Sequence, residues 1–523
     1  MKWARQFDQF ADSFSDRLNP LLVKEVRQAL KGRLFLLTFG LLLLGAWVVS
    51  AFGVTAAGDA IQWQSSPTLL ASYITALQIA VVGLVPFIAF RSMQAEAEAN
   101  TWELVCITTL SPRRLVGGKL GSAVVQMLLL ASVISPCVAF CSLLPGFDLI
   151  VTLTALSVTL VLSLLNTIFS VMLSSLASTR YWQNFAMGAL LLLLIGETKV
   201  VCELTYFSVT GQNVTESVLS YLERFSPGST FLFAPFSASP SLMHVLVVGT
   251  FLVVALAYFF LFYEITIAQV TFEADSRSGR IRVACSLLYV MQWGLLVLCD
   301  THRSDFIENP ALVLFVIHWL VFGLSACLES ETISTRIRRQ LPGWSLLRLP
   351  YLPGGSRAMV FLLLHLGSAP IIATLVTSYL PNFYSGQRVS LWSMYLLVYI
   401  TIAVASCRSI LALNPAIRRA NLRVGVAIGI FASMLPSVVL SQMFGNVRFH
   451  FFFLTIFNPF EYSTLQDGQT WALVTPIMIV VLIGVHLNWE ILKRSVQDVT
   501  PVDLPDSGHW LHLPPPAKRS EPQ

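Results

Sequence analysis

Along most of this chain apolar residues run for about twenty positions at a time, and charged residues gather in the stretches between those runs. Neither the alternation of a half-buried strand nor the one-sided spacing of a water-facing helix is present; the pattern is that of helices apolar on all faces. A bilayer-crossing helix needs about 20 mostly apolar residues, and twelve segments qualify. In the first half they are Leu34 to Ala56, Leu69 to Phe90, Leu120 to Leu144, Ile150 to Leu176, Phe185 to Leu204 and Leu242 to Val270. In the second half they are Val283 to Cys299, Ala311 to Leu328, Met359 to Leu380, Leu391 to Cys407, Val424 to Met443 and Trp471 to Trp489. The fifth carries Glu197, Lys199 and Glu203 at its far end, so a short or broken helix is as good a reading there as a full span. The expected fold is all-α, a polytopic membrane protein of about 12 transmembrane helices in two six-helix halves. The halves are residues 34–270 and 271–489, with a segment 1–33 before them and a tail 490–523 after them.

Composition agrees with that pattern. Of 523 residues 55% are hydrophobic and 12% charged, with mean hydropathy +0.71, whereas soluble domains carry about 25% charged residues. A water-soluble enzyme is excluded. The first apolar run follows a charged segment of more than thirty residues and reads as an uncleaved anchor. Eight cysteines fall mostly inside apolar runs without paired spacing, which supports neither a disulfide framework nor a zinc site. The net charge of +5 says less than its placement, and no nucleic-acid partner is expected. Summed over alternate connections, 28 of the 33 Lys and Arg residues fall on the side of the N-terminus and 5 on the other. Cytoplasmic loops hold the excess of cations, so both termini are expected in the cytoplasm of a multi-pass plasma (inner) membrane protein.

Six spans precede the charged connection Glu273 to Arg282 and six follow it. Each half carries F-x-P-F in the long external loop before its last span: Phe233-Ala234-Pro235-Phe236, within the loop 205–241, and Phe457-Asn458-Pro459-Phe460. An even number of spans per half would make the repeats parallel, related by an axis along the membrane normal. Chance recurrence in a Phe-rich chain is an equal alternative.

Two segments outside the bilayer stand out. Asn19-Pro20 has the form of a helix start, with Asn as N-cap and Pro in the first turn. After it Leu22, Val26, Ala29 and Leu30 recur at helical spacing, while Lys24, Arg27, Gln28, Lys31 and Arg33 take the other faces. The pattern suits a helix lying in the membrane interface with its cations near anionic headgroups; an ordinary charged flank of the first span is the bland alternative. The connection 91–119 opens with Glu96 and Glu98, passes through Trp102, Leu104, Val105 and Ile107, breaks at Ser111-Pro112 and resumes with Arg113, Arg114 and Lys119. A connection needed only to join two spans would be shorter and would not expose apolar residues. The cluster suggests a docking helix for a partner protein, or one that packs back on its own bundle.

These residues carry a resemblance. The opening Asn19-Pro20, Lys24-Glu25, Arg27-Gln28, then Glu96-x-Glu98-x-x-Thr101-Trp102-Glu103-Leu104, Thr108, Leu110-Ser111-Pro112-Arg113-Arg114 and Gly118-Lys119, resemble the membrane subunits of ABC-2 type transporters over residues 18–270. Asn100 and Thr109 depart from that pattern, where the family usually has Gly and often has Pro. The resemblance implies an interfacial helix before the first span, and a coupling helix between spans two and three that seats in a cleft of a separate ABC ATPase subunit. It also implies an external re-entrant segment at about Glu203 to Pro240. On this reading ATP is bound by the partner, and the chain itself holds no cofactor and is not an enzyme.

The remaining chemistry is sparse. Gly117-Gly118-Lys119-Leu120 lacks the pattern of a phosphate-binding loop, Gly354-Gly355-Ser356-Arg357-Ala358 misses a nucleophile elbow, and no metal-ligand or catalytic spacing surrounds Glu96 and Glu98. Ionisable residues within spans are Glu197, Lys199, Glu264, His318, His365 and His486, with polar Asn166 and Gln292 suited to knitting helices together. The expected function is the permease of an ATP-driven exporter, acting as one chain or as a homodimer. Rivals are a secondary transporter of the major-facilitator kind and a non-transporting membrane scaffold.

Overall fold

A computed structural model of the chain describes residues 20–57, 65–98, 112–144, 146–176, 180–210, 240–271, 278–298, 310–327, 329, 346–380 and 385–413. All regular elements among them are helical. Helix α1 is Pro20–Leu30, α2 Arg33–Ala57 and α3 Ser65–Gln78; α3 runs through a π-helical segment, Ile79–Leu84, into α4, Val85–Glu98. There follow α5 Pro112–Cys141, α6 Leu149–Leu176, α7 Arg180–Thr210, α8 Pro240–Val270, α9 Gly279–Leu298 and α10 Pro310–Cys327. A 3₁₀ turn, Leu346–Tyr351, precedes α11, Gly355–Tyr379, and α12 is Ser385–Leu413.

Eight helices among the described residues are long and apolar enough to cross a membrane, at the first seven expected positions and the ninth. The eighth expected span is the shorter apolar helix Ala311–Cys327, and the tenth lies within α12. The eleventh and twelfth, Val424 to Met443 and Trp471 to Trp489, lie outside the described residues, as do both F-x-P-F sequences. For the fifth, the broken-helix alternative gives way to one continuous helix of 31 residues. Glu197, Lys199 and Glu203 do not interrupt it because Lys199 and Glu203 pair one turn apart at 3.8 Å and are exposed, while Glu197 finds a partner on α6.

The packing explains why these helices need a bilayer. On α2 a single stripe, Phe35, Thr38, Leu42 and Ala46, is buried, whereas Leu36, Leu37, Leu41, Leu43, Leu44 and Trp47 are exposed. An apolar surface of that extent is a lipid-facing surface. Two large apolar cores lie in the two halves, one around Tyr73, Ile74, Leu77 and Leu130, the other around Tyr289, Trp319, Phe361 and Trp392. Helix α8 packs on both α6 and α9 and sends Leu261 into the second core, so the sixth span joins the halves.

Candidate functional site

Helix α1 lies across the first turns of α5. Its apolar residues Leu22, Val26, Ala29 and Leu30 are half-buried, and Lys24, Arg27 and Gln28 are exposed, lining an open groove with Val23 and Lys31. The approach is close: a Cβ on Gly121 of α5 would stand 2.6 Å from Leu22 Cδ1. One polar residue of α1 breaks the amphipathic pattern. Glu25 turns inward, its Oε2 3.5 Å from Lys119 Nζ, and the two side chains are 6% and 3% exposed. Lys119 Nζ also donates to Ser92 Oγ of α4 at 3.1 Å. Carboxylate, ammonium and hydroxyl thus tie α1, the end of the second span and the start of the third. Buried charges are costly unless paired, and removing one partner typically costs about 3–5 kcal/mol.

A second pair sits one helix away. Arg113, in the first turn of α5, reaches Glu264 of α8 at 3.2 Å; the carboxylate is 5% exposed and the guanidinium 50%. Pro112 opens α5 as its first residue, and Arg114 beside it is exposed. The segment 99–111 is therefore followed by two ion pairs, one to α1 and one to the sixth span, and Ser92 on its near side is drawn to the first of them. Glu96 and Glu98 close α4 on the near side of that segment. Asn19, Thr101, Trp102, Glu103, Leu104 and Ser111, and the side chains of Pro20, Glu96 and Glu98, lie outside the described residues.

The second half has a knot of its own around Arg282. Arg282, at the start of α9 and 1% exposed, donates to Glu329 Oε2 at 2.8 Å and to the carbonyls of Pro350 at 2.8 Å, Gly354 at 3.0 Å and Leu352. Glu329 in turn accepts from the Gly354 amide at 3.1 Å. Gly354 adopts φ 133°, and a Cβ on Gly355 would meet the Cys327 carbonyl at 2.3 Å. Only glycines let the chain turn this tightly into α11. The planar guanidinium with its fork of donors suits several acceptors at once, which an ammonium could not match in one plane.

No protein-family model, curated protein or solved structure matches this chain.

Deeper in the bundle a polar seam runs between the second, fourth and fifth spans. Thr159, Ser163, Asn166, Ser170 and Ser174 recur along one face of α6 and are all buried. Gln78 Nε2 donates to Thr159 Oγ1 at 3.0 Å and Thr205 Oγ1 at 2.7 Å. Ser163 Oγ donates to the Val81 carbonyl within the π-helical segment at 2.6 Å. Asn166 Nδ2 donates to Glu197 Oε2 at 2.9 Å. In the second half Gln292 holds Trp319 Nε1 at 3.0 Å and Tyr258 OH at 3.1 Å, so Gln292 knits helices, as does Asn166, whose partner on α7 is a carboxylate.

Sequence reasoning singled out Glu25, Arg113, Lys119, Asn166, Glu197 and Glu264 without their pairings. It missed Gln78, Ser92 and Ser163, and gave Arg282 and Glu329 no role beyond membership of charged connections. The α6 stripe was readable, since its spacing of three and four is that of one helical face. The π-helical segment and the knot around Arg282 had no local signal.

Proposed function

We propose that the chain is the membrane-embedded permease of an ATP-driven exporter of ABC-2 type, with about twelve spans and both termini cytoplasmic. A separate ABC ATPase subunit docks on the connection between spans two and three. The observation that carries this reading is the anchoring on either side of 99–111. Glu25, Lys119 and Ser92 hold its flanks to the interfacial helix, and Arg113 with Glu264 holds its exit to the sixth span. A connection that served only to join two spans would need neither tie. The order of residues from Glu96 to Arg114 and the amphipathic helix at Pro20 supply the remaining support.

On this reading ATP-driven closure of the motor displaces 99–111, and the ion pairs carry the displacement into α1, α5 and α8. Inward and outward exposure are then two packings of one bundle, biased by nucleotide at a distance. The motor supplies all nucleotide chemistry. Either one chain or a homodimer completes the pathway.

Purification of the full chain in detergent from its native host is expected to bring an ABC ATPase with it. Trp102→Asp, or Glu103→Lys, is expected to remove that ATPase while leaving the chain folded. Efflux or uptake that follows a proton gradient, with no ATPase recruited by wild type, would overturn the proposal in favour of a secondary transporter.

A further inference from the structure

We infer that Glu197 and the groups around it form a binding site for a small monovalent inorganic cation inside the membrane. Every other carboxylate with a described side chain is matched. Glu25, Glu203, Glu264 and Glu329 each face a Lys or Arg, and Asp148 caps α6 by accepting from the Ile150 and Val151 amides at 2.8 and 3.2 Å. Among the described glutamates Glu197 alone has an amide for its partner and no cation. Its neighbour Lys199 is turned to Glu203 and exposed. A charge left in hydrocarbon costs at least about 2.5–3.5 kcal/mol, and a bound cation removes that cost.

The surroundings are oxygen-rich and neutral. Asn166 is 5% exposed and spends its amide N–H on Glu197. Thr198 Oγ1, next in sequence, is buried without a hydrogen-bond partner and lies 3.4 Å from where a Cβ on Gly83 would stand. Gly83 belongs to the π-helical segment, whose Val81 carbonyl already accepts from Ser163; such segments displace the usual i to i−4 pairing and recur at functional sites. One carboxylate balances one positive charge. A divalent ion would keep a net charge in hydrocarbon and generally takes more carboxylates, so the chemistry fits an alkali cation.

The test is independent of any ATPase. Thermal unfolding of the full chain in detergent is followed in LiCl, NaCl and KCl, each against N-methyl-D-glucamine chloride at equal ionic strength. At least one alkali cation is expected to raise the midpoint by several degrees with saturation, an effect absent in Glu197→Gln and weakened in Thr198→Val. Glu197→Gln in N-methyl-D-glucamine is expected to melt at or above wild type, since the uncompensated charge is gone. An equal salt response in Glu197→Gln, or no response of wild type to any of the three cations, overturns the proposal and leaves Glu197 as a hydrogen-bonding partner of Asn166.

Discussion

Glu25 shows how one side chain can override a pattern. By spacing it belongs with the wet face of an interfacial helix, yet Lys119 draws it under the helix, where both side chains are buried. Glu25→Gln leaves Lys119 without its carboxylate and is expected to destabilise the docking of α1 by about 3–5 kcal/mol. Limited proteolysis between α1 and α2 measures this directly, and Glu25→Gln with Lys119→Met together should cost less than the sum of the two. Arg113→Ala should cost less, on the order of 1 kcal/mol, because its guanidinium is half in solvent. For Arg282, Arg282→Lys keeps the charge but not the fork, and a loss on the order of 2–4 kcal/mol in thermal unfolding is expected. Full retention of stability in Arg282→Lys would mean that charge alone holds the knot.

At the scale of elements, glycines separate helices that touch from helices that face lipid. Gly117 has open space where a Cβ would be, whereas Gly355 would set one against the Cys327 backbone. Gly117→Ala is expected to be neutral or to stabilise α5 by up to about 1 kcal/mol. Gly355→Ala is expected to cost about 1–3 kcal/mol by forcing α11 away from the end of α10. The yield of monodisperse protein in detergent and its unfolding midpoint report both. Each half of the chain has a buried ionic tie between its elements. In the first half buried ions tie α1, the end of the second span and the start of the third. In the second they tie the start of the seventh span, the chain just after the eighth and the turn into the ninth.

For the whole molecule, the two ties around 99–111 separate binding of a motor from transmission of its motion. Glu25 lies under α1 and Glu264 under Arg113, both nearly inaccessible, so neither is placed to touch a partner. On the proposed function, Glu25→Gln therefore keeps the ATPase bound while lowering transport per ATP hydrolysed. A change within the range of allosteric couplings, about 5- to 150-fold, is expected in reconstituted vesicles. Loss of the ATPase from Glu25→Gln with α1 still docked would instead place Glu25 in the interface. No such separation is expected for Trp102→Asp, where binding and transport should fall together.

The sequence alone determined the class of the fold, because a bilayer sets the length of every spanning helix and penalises charge within it, and both constraints are written locally in the chain. Eight of the expected spans are helices of spanning length at the expected places, although the second runs eight residues past its expected end and the third begins eight residues early, at Pro112, and α1 begins at Pro20, the expected first helical residue. Tertiary structure decided which polar residues are partners. Lys119 and Glu25 are 94 residues apart, Arg113 and Glu264 are 151, and Asn166 and Glu197 are 31. A charge in a membrane protein must find its counterpart wherever packing brings one. Residue type therefore marks the sites in the sequence, and only the arrangement of helices shows that Glu197 has an amide where the other described glutamates have a cation.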